Sequence, residues 1–289
     1  MKYFKPAISE TKFYPISREQ FEILTKRTAP HVQTKGGRNM QFAVCPSCNN
    51  PIQLIGLYKP LPDKKRPYGK HYHKSIPDLA DFKKENYETC FLACKKTNLS
   101  KNNKRKTFTD QERQILNLLI NYFDQVAYLF QKQTGIWLSV ALAKHMLQAY
   151  KAEQGHLYLG ATPLNVPWIF AYMANNSTLW GRRILDEELR RKIVLAAPNI
   201  FFEDNFQLKS KGRTDISFWF TKHRSRIDAE GELSEYMELK ISESSQDIIT
   251  QKIYFDHAHF QSLLTMPDSL RYRKNELVPV AQEILGSLL

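Results

Sequence analysis

SEYMELKIS, residues 234–242, sets Glu238 and Lys240 between Met237, Leu239 and Ile241. In an extended chain alternate side chains face opposite ways. Met237, Leu239 and Ile241 then share one face, and Tyr236, Glu238 and Lys240 share the other. The stretch reads as a strand with one face in a core. Glu235 falls on the apolar side at the strand's start, where its removal is expected to be mild. The outer acid and lysine have two readings, a solvated ion pair or part of a metal-dependent active site.

The same period of two runs upstream. In GRTDISFWF (212–220), Asp215, Ser217 and Trp219 share one face while Ile216, Phe218 and Phe220 take the other. NIFFEDNFQLKSKG (199–212) and RTDISFWFTKHRS (213–225) read as a hairpin through Gly212. SSQDIITQKIYFDHAHF (244–260) reads as a helix capped by its serines, and ELVPVAQEILGSLL (276–289) as a last strand or helix. His257 and His259 read as surface or core histidines.

Before residue 199 the period lengthens. TDQERQILNLLINYFDQVAYLFQKQTG (109–135) has a Thr N-cap, early acids and apolar residues at helical spacing. Further helices are expected in IWLSVALAKHMLQAYKAEQG (136–155), NVPWIFAYMANN (165–176) and LWGRRILDEELRRKIVLAA (179–197), the last closed by Pro198. The expected fold class is therefore α+β or α/β. It divides into a basic zinc-binding module over 1–106, a helical region over 107–180 and a small mixed β-sheet flanked by helices over 181–289.

The charge is lopsided. Residues 1–106 carry 22 Lys and Arg against 8 Asp and Glu, whereas 107–289 carry 20 against 21. The net +13 thus sits wholly in the first third. Such a module suits a polyanion, because each cation placed on a phosphate releases a condensed counterion. The partner expected is nucleic acid, DNA first, with a protein partner or homodimer as a further possibility. A plainer use of the charge is solubility. The polar, basic stretch KKTNLSKNNKRK (95–106) reads as a linker or a nucleic-acid-facing segment.

Hydrophobic content of 42% and aromatic content of 12% exclude a disordered chain. No apolar run reaches the ~18 residues of a membrane span, and the N-terminal stretch has no apolar segment of the secretory kind. The expectation is a cytoplasmic protein without membrane contact and with reduced cysteines.

All four cysteines fall in one short region: Cys45, Cys48, Cys90 and Cys94. Cys-Pro-Ser-Cys is a tight turn that aims two thiolates at one point, half of a tetrahedral zinc site. Cys90 is expected next, and the fourth place lies between Cys94, His71 and His73. Four protein ligands leave no open position, so the zinc would be structural. The region is poor in apolar residues, so the metal is expected to stand in for a core. TKGGRN (34–39) is a turn, not a phosphate-binding loop, and no Ser-His-Asp or Cys-His signature is present.

The acid at Asp215 in one strand, followed by Glu238-x-Lys240 in the next, resembles the PD-(D/E)xK nuclease superfamily over about residues 182–260. The CPxC front module is loosely similar to CoiA-like nucleases. The resemblance implies a restriction-endonuclease-like core that hydrolyses DNA phosphodiesters with Mg²⁺ or Mn²⁺. Asp215 and Glu238 would hold the cation, and Lys240 would position the attacking water and counter developing charge. Glu187 or Glu188, on the preceding helix, and Gln251 or Lys252, on the following one, are the assisting residues it implies. Roles in restriction, phage defence or mobile-element maintenance follow from the resemblance. The alternative is a non-catalytic zinc-containing adaptor or regulator that binds nucleic acid.

Overall fold

The computed structural model describes residues 1–10, 12–62, 66–88, 90–93, 100–227, 233–270 and 276–289. Its front unit opens with β1 (Tyr3–Phe4) and β2 (Tyr14–Pro15), an antiparallel pair. Helix α1 (Arg18–Thr25) follows, with Ser17 capping it by accepting from the Gln20 amide. β3 (Val32–Lys35), β4 (Arg38–Val44), β5 (Pro51–Ile55) and β6 (Tyr68–His71) form an antiparallel sheet in sequential order, and α2 (Lys84–Glu88) comes after it. Gly36 and Gly37, at φ 57° and 71°, make the β3–β4 turn, a conformation that β-carbon sterics disfavour in other residues.

This unit has more core than its sequence promises. Phe4, Phe13, Phe21, Ile52 and Leu54 are buried together with Cys45, Cys48 and Cys90. A second cluster joins Phe42, Val44, Ile76 and Ala80. The cysteines therefore complete a core instead of replacing one.

The expected long helix over 109–135 is two: α3 (Asp110–Asn121) and α4 (Phe123–Thr134). They are separated at Tyr122, whose φ of −121° leaves the helical region. Thr109 and Glu112 form the capping box of α3. Gly135 ends α4 at φ 72°, and a β-carbon there would lie 2.4 Å from that of Asp186, so the position needs glycine for both reasons. α5 (Val140–Ala152) and α6 (Val166–Met173) run as expected.

Next come β7 (Ser177–Thr178), α7 (Glu187–Ala196), β8 (Ile200–Phe202), β9 (Leu208–Ser210), β10 (Ile216–Ile227), β11 (Leu233–Glu243) and β12 (Gln246–Tyr254). α8 (His257–Thr265) and α9 (Leu277–Leu285) close the chain. The main sheet has the order β12-β11-β10-β7 with every pair antiparallel. Phe218, Phe220, Met237, Leu239 and Ile241 line its inner face. They share one core with α3–α6, α8 and α9.

Several expectations change here. The C-terminal sheet is antiparallel, not mixed. β8 turns back on β9, while β10 pairs with β11, so the expected hairpin through Gly212 is not made. The expected helix over 244–260 is mostly β12. Ser244 and Ser245 at φ 48° and 69° form a tight hairpin turn there, not a helix cap. The expected helix over 179–197 is helical only from Glu187.

Candidate metal centre and a buried polar network

Three local structures converge on one point. The turn after β4 holds Cys45 and Cys48, closed by the Asn49 amide on the Cys45 carbonyl (3.1 Å) and the Cys45 amide on the Asn50 carbonyl (2.8 Å). Pairing of Ile52 with His71 across β5 and β6 carries the imidazole to the same place. Cys90 arrives after α2, its amide on the Tyr87 carbonyl at 3.1 Å. The four ligand atoms of Cys45, Cys48, His71 and Cys90 lie within 4.8 Å of one another. Cys45 and Cys90 sulfurs are 3.8 Å apart, and His71 Nε2 lies 3.3 Å from Cys48 Sγ and 3.6 Å from Cys90 Sγ.

These spacings fit a metal. A tetrahedron with bonds of ~2.3 Å to sulfur and ~2.0 Å to nitrogen has edges of about 3.5–3.8 Å. The charge balance agrees. Burial pushes the Cys48 and Cys90 thiols well up, reinforced in both by the neighbouring Cys45. Burial opposes ionisation of Cys45 too, but hydrogen bonds from Cys48 and Cys90 and the nearby His71 hold it well below the usual range. Burial opposes the charged form of all three thiols, and a bound cation would supply the counter-charge they lack. The cluster could hold a metal ion such as zinc.

The surroundings orient the ligands. Asn50 Nδ2 donates to Cys48 Sγ (3.4 Å), while Asn50 Oδ1 accepts from the Lys83 amide (2.6 Å). Lys5, fully buried, donates to Asn49 Oδ1 (2.6 Å) and Gln114 Oε1 (2.9 Å). Desolvation brings its pKa down to about 8 against the opposing pull of the Cys45 and Cys48 charges. Of the other expected ligands, His73 packs its ring on Tyr87 (4.5 Å) and Phe82 (5.3 Å), outside the cluster. Cys94 lies outside the described residues.

The expected catalytic residues do not gather. Asp215 is exposed and precedes β10, its carbonyl accepting from the Ser244 amide. Glu238 pairs with Thr221, six residues further along, a separation of about 20 Å in an extended strand. One cation cannot bridge them. Glu238 Oε2 is 3.1 Å from Lys222 Nζ, and Lys240 meets Asp247. Glu187 is exposed at the start of α7, and Gln251 lies on β12 opposite Leu239, on the inner side. Among the described residues the only group of three or more His, Cys, Asp or Glu spaced for a metal is the Cys45–Cys48–His71–Cys90 cluster.

A second constellation escaped the sequence reading. Between Thr221 and Arg224 the β10–β11 register shifts by one residue, with Lys222 at φ 53°. Such a bulge reverses which side chains face inward, so His223 enters the core where Phe220 did before it. His223 Nε2 lies 2.6 Å from Glu235 Oε1, His257 Nε2 lies 2.8 Å from Glu235 Oε2, and Asn165 Nδ2 donates to Oε1 at 2.8 Å. Tyr158 Oη is 2.9 Å from His223 Nδ1. The ionised Glu235 can only accept, so both Nε2 atoms carry protons. The Tyr158 hydroxyl and His223 Nδ1 extend the chain of hydrogen bonds by one link. Phe255 stacks on His223 (5.4 Å) and on Trp168 (4.9 Å). The signal in the sequence was Glu235 itself, a carboxylate in phase with Met237, Leu239 and Ile241.

Burial would raise the Glu235 pKa, but the hydrogen bonds and charges of His223 and His257 bring it to about 2. A carboxyl depressed in the folded state contributes stability that is present above its unfolded value and lost as pH falls through the folded one. The window runs from about 4.5 down to about 2, and the contribution is ~3 kcal/mol. Urea titrations across this window should show a shallower acid limb for Glu235→Gln than for the unaltered chain; identical limbs would contradict the assignment.

No known family model matches the chain, and no curated protein or solved structure is similar to it at a significant level. No helix among the described residues is long and apolar enough to cross a membrane.

Proposed function

We propose that this chain is a nucleic-acid-binding protein, with DNA as its partner, whose front unit is shaped by a structural zinc ion. The observation that carries the reading is the closed Cys45–Cys48–His71–Cys90 group inside the unit that holds all the positive excess. Four protein ligands fill a tetrahedral zinc and leave no place for substrate. The metal therefore supplies shape, and the exposed cations supply affinity. Lys5 and Arg105 take no part in that contact, because both are occupied inside the fold. With full-length protein and a labelled duplex, binding should weaken steeply between low and moderate salt. Salt-insensitive binding, or none at low salt, would overturn the reading.

A second reading keeps a metal-dependent nuclease using Mg²⁺ or Mn²⁺, in phage defence, restriction or mobile-element maintenance. It is favoured by Lys240, two residues from Glu238 on β11, meeting Asp247 on β12. It requires Mg²⁺- or Mn²⁺-dependent cleavage of DNA that Glu238→Ala abolishes. Under the first reading the protein binds DNA and leaves it intact.

A further inference from the structure

Residues 179–185 turn at Trp180–Gly181, where the Arg182 amide donates to the Leu179 carbonyl (2.9 Å), and then run extended between two neighbours. The Gly181 amide donates to the Leu208 carbonyl (2.9 Å), and the Leu208 amide returns the bond to Arg182 (2.8 Å). On the other side the Trp137 amide donates to the Arg183 carbonyl (2.9 Å). This ribbon and the β8–β9 hairpin present large rings to solvent: Trp180 is 50% exposed and Phe206 42%.

Three rings of this surface stand beside a cation. Lys209 Nζ lies 5.1 Å from the Trp180 ring centre, Arg190 lies 4.3 Å from that of Phe206, and Arg183 lies 5.4 Å from that of Trp137. Neither Trp180 nor Phe206 enters the core. Phe206 also sits at φ 64°, a conformation costly for a bulky residue. Stability would favour asparagine or glycine at that turn, so the ring's presence there calls for another use.

From this juxtaposition we infer that the 179–185 ribbon and the β8–β9 hairpin form a stacking platform for unpaired nucleobases, making single-stranded nucleic acid a partner of the chain. The inference rests on the nucleic-acid-binding reading and adds a second contact, in the half of the chain with no net positive charge. Exposed rings offer stacking faces to any base; Arg183 and Arg190, anchored on the Asn205, Ile184 and Leu185 carbonyls, and Lys209, 4.0 Å from Glu203, add positive charge beside the rings for the phosphates. Duplex DNA keeps its bases stacked and would engage only the cations.

The test uses full-length protein and two probes, an oligo-dT strand and a duplex, at one salt concentration. The Trp180→Ala, Phe206→Ala double variant should bind oligo-dT about a hundredfold more weakly and the duplex almost unchanged. Trp180→Phe, which keeps a ring, should restore most of the loss when Phe206 is intact. Oligo-dT should also quench tryptophan fluorescence in the unaltered protein, and less in Trp180→Phe. Phe206→Asn, which suits the left-handed backbone, should fold at least as stably and still weaken oligo-dT binding. Unchanged oligo-dT affinity in the double variant and in Phe206→Asn, with duplex binding intact, would overturn the platform and spare the broader reading. Failure of the unaltered protein to bind either probe would overturn both.

Discussion

Cys45→Ser, or a strong chelator, is expected to unfold the front unit. Binding of structural zinc to such sites contributes ~10–16 kcal/mol of apparent free energy, as much as the whole stability of an ordinary domain. Losing one of four ligands therefore removes more than the small clusters around Phe21 and Phe42 can replace. Freshly purified reduced protein should contain about one zinc per chain by metal analysis. Cys48→Ser, His71→Ala and Cys90→Ser should each lose it. His73→Ala should retain it, because that ring packs on Tyr87 and Phe82. Limited proteolysis should then cut residues 1–93 first in the metal-free protein. Absence of zinc, or a Cys45→Ser chain as resistant as the original, would end the zinc assignment.

Glu235→Ala is expected to destabilise the protein by ~3–5 kcal/mol, the usual effect of breaking a buried ion-paired network from one side. The sequence alone suggests a mild change, since Glu235 sits near a strand end. The structure reverses that, because two histidines and Asn165 would be left in the core without their shared acceptor. Glu238→Ala should cost at most ~1 kcal/mol, since its partner Lys222 is over half exposed. Urea unfolding of the two variants side by side decides the point. A Glu235→Ala shift no larger than that of Glu238→Ala would show that the network contributes nothing.

The parts of this fold written in local pattern were legible. Period-two alternation found β10 and β11 and their buried faces, and helical spacing found α5 and α6. The clustered cysteines pointed to Cys45, Cys48 and Cys90, with His71 among the alternatives for the last place. What failed depended on partners remote in sequence. QDIITQKIY carries β-branched residues in a stretch short enough for strand or helix, and only pairing with β11 decides it. The single-residue bulge at Lys222 leaves no mark in composition, so the inward turn of His223 could not be read. The proposed trio of Asp215, Glu238 and Lys240 came from residue types at plausible spacing. The register that parts Asp215 from Glu238 is set by which faces of β10 and β11 enter the shared core.

Arg105 imposes an order on how the molecule is made. Its guanidinium donates to the Tyr158, Leu159 and Ala161 carbonyls at 2.9, 3.1 and 2.9 Å and pairs with Glu112 at 3.2 Å. Lys5 likewise waits for Gln114, 109 residues on. A nascent chain that has just released its first hundred residues already owns every ligand of the metal cluster. It still lacks Gln114, one of the acceptors of Lys5, and has yet to add Arg105 and the carbonyls that receive it; burying such a cation without its acceptors would cost several kcal/mol. The front unit can thus load its metal soon after emerging. It can settle into its final packing only once the ribosome has passed Ala161.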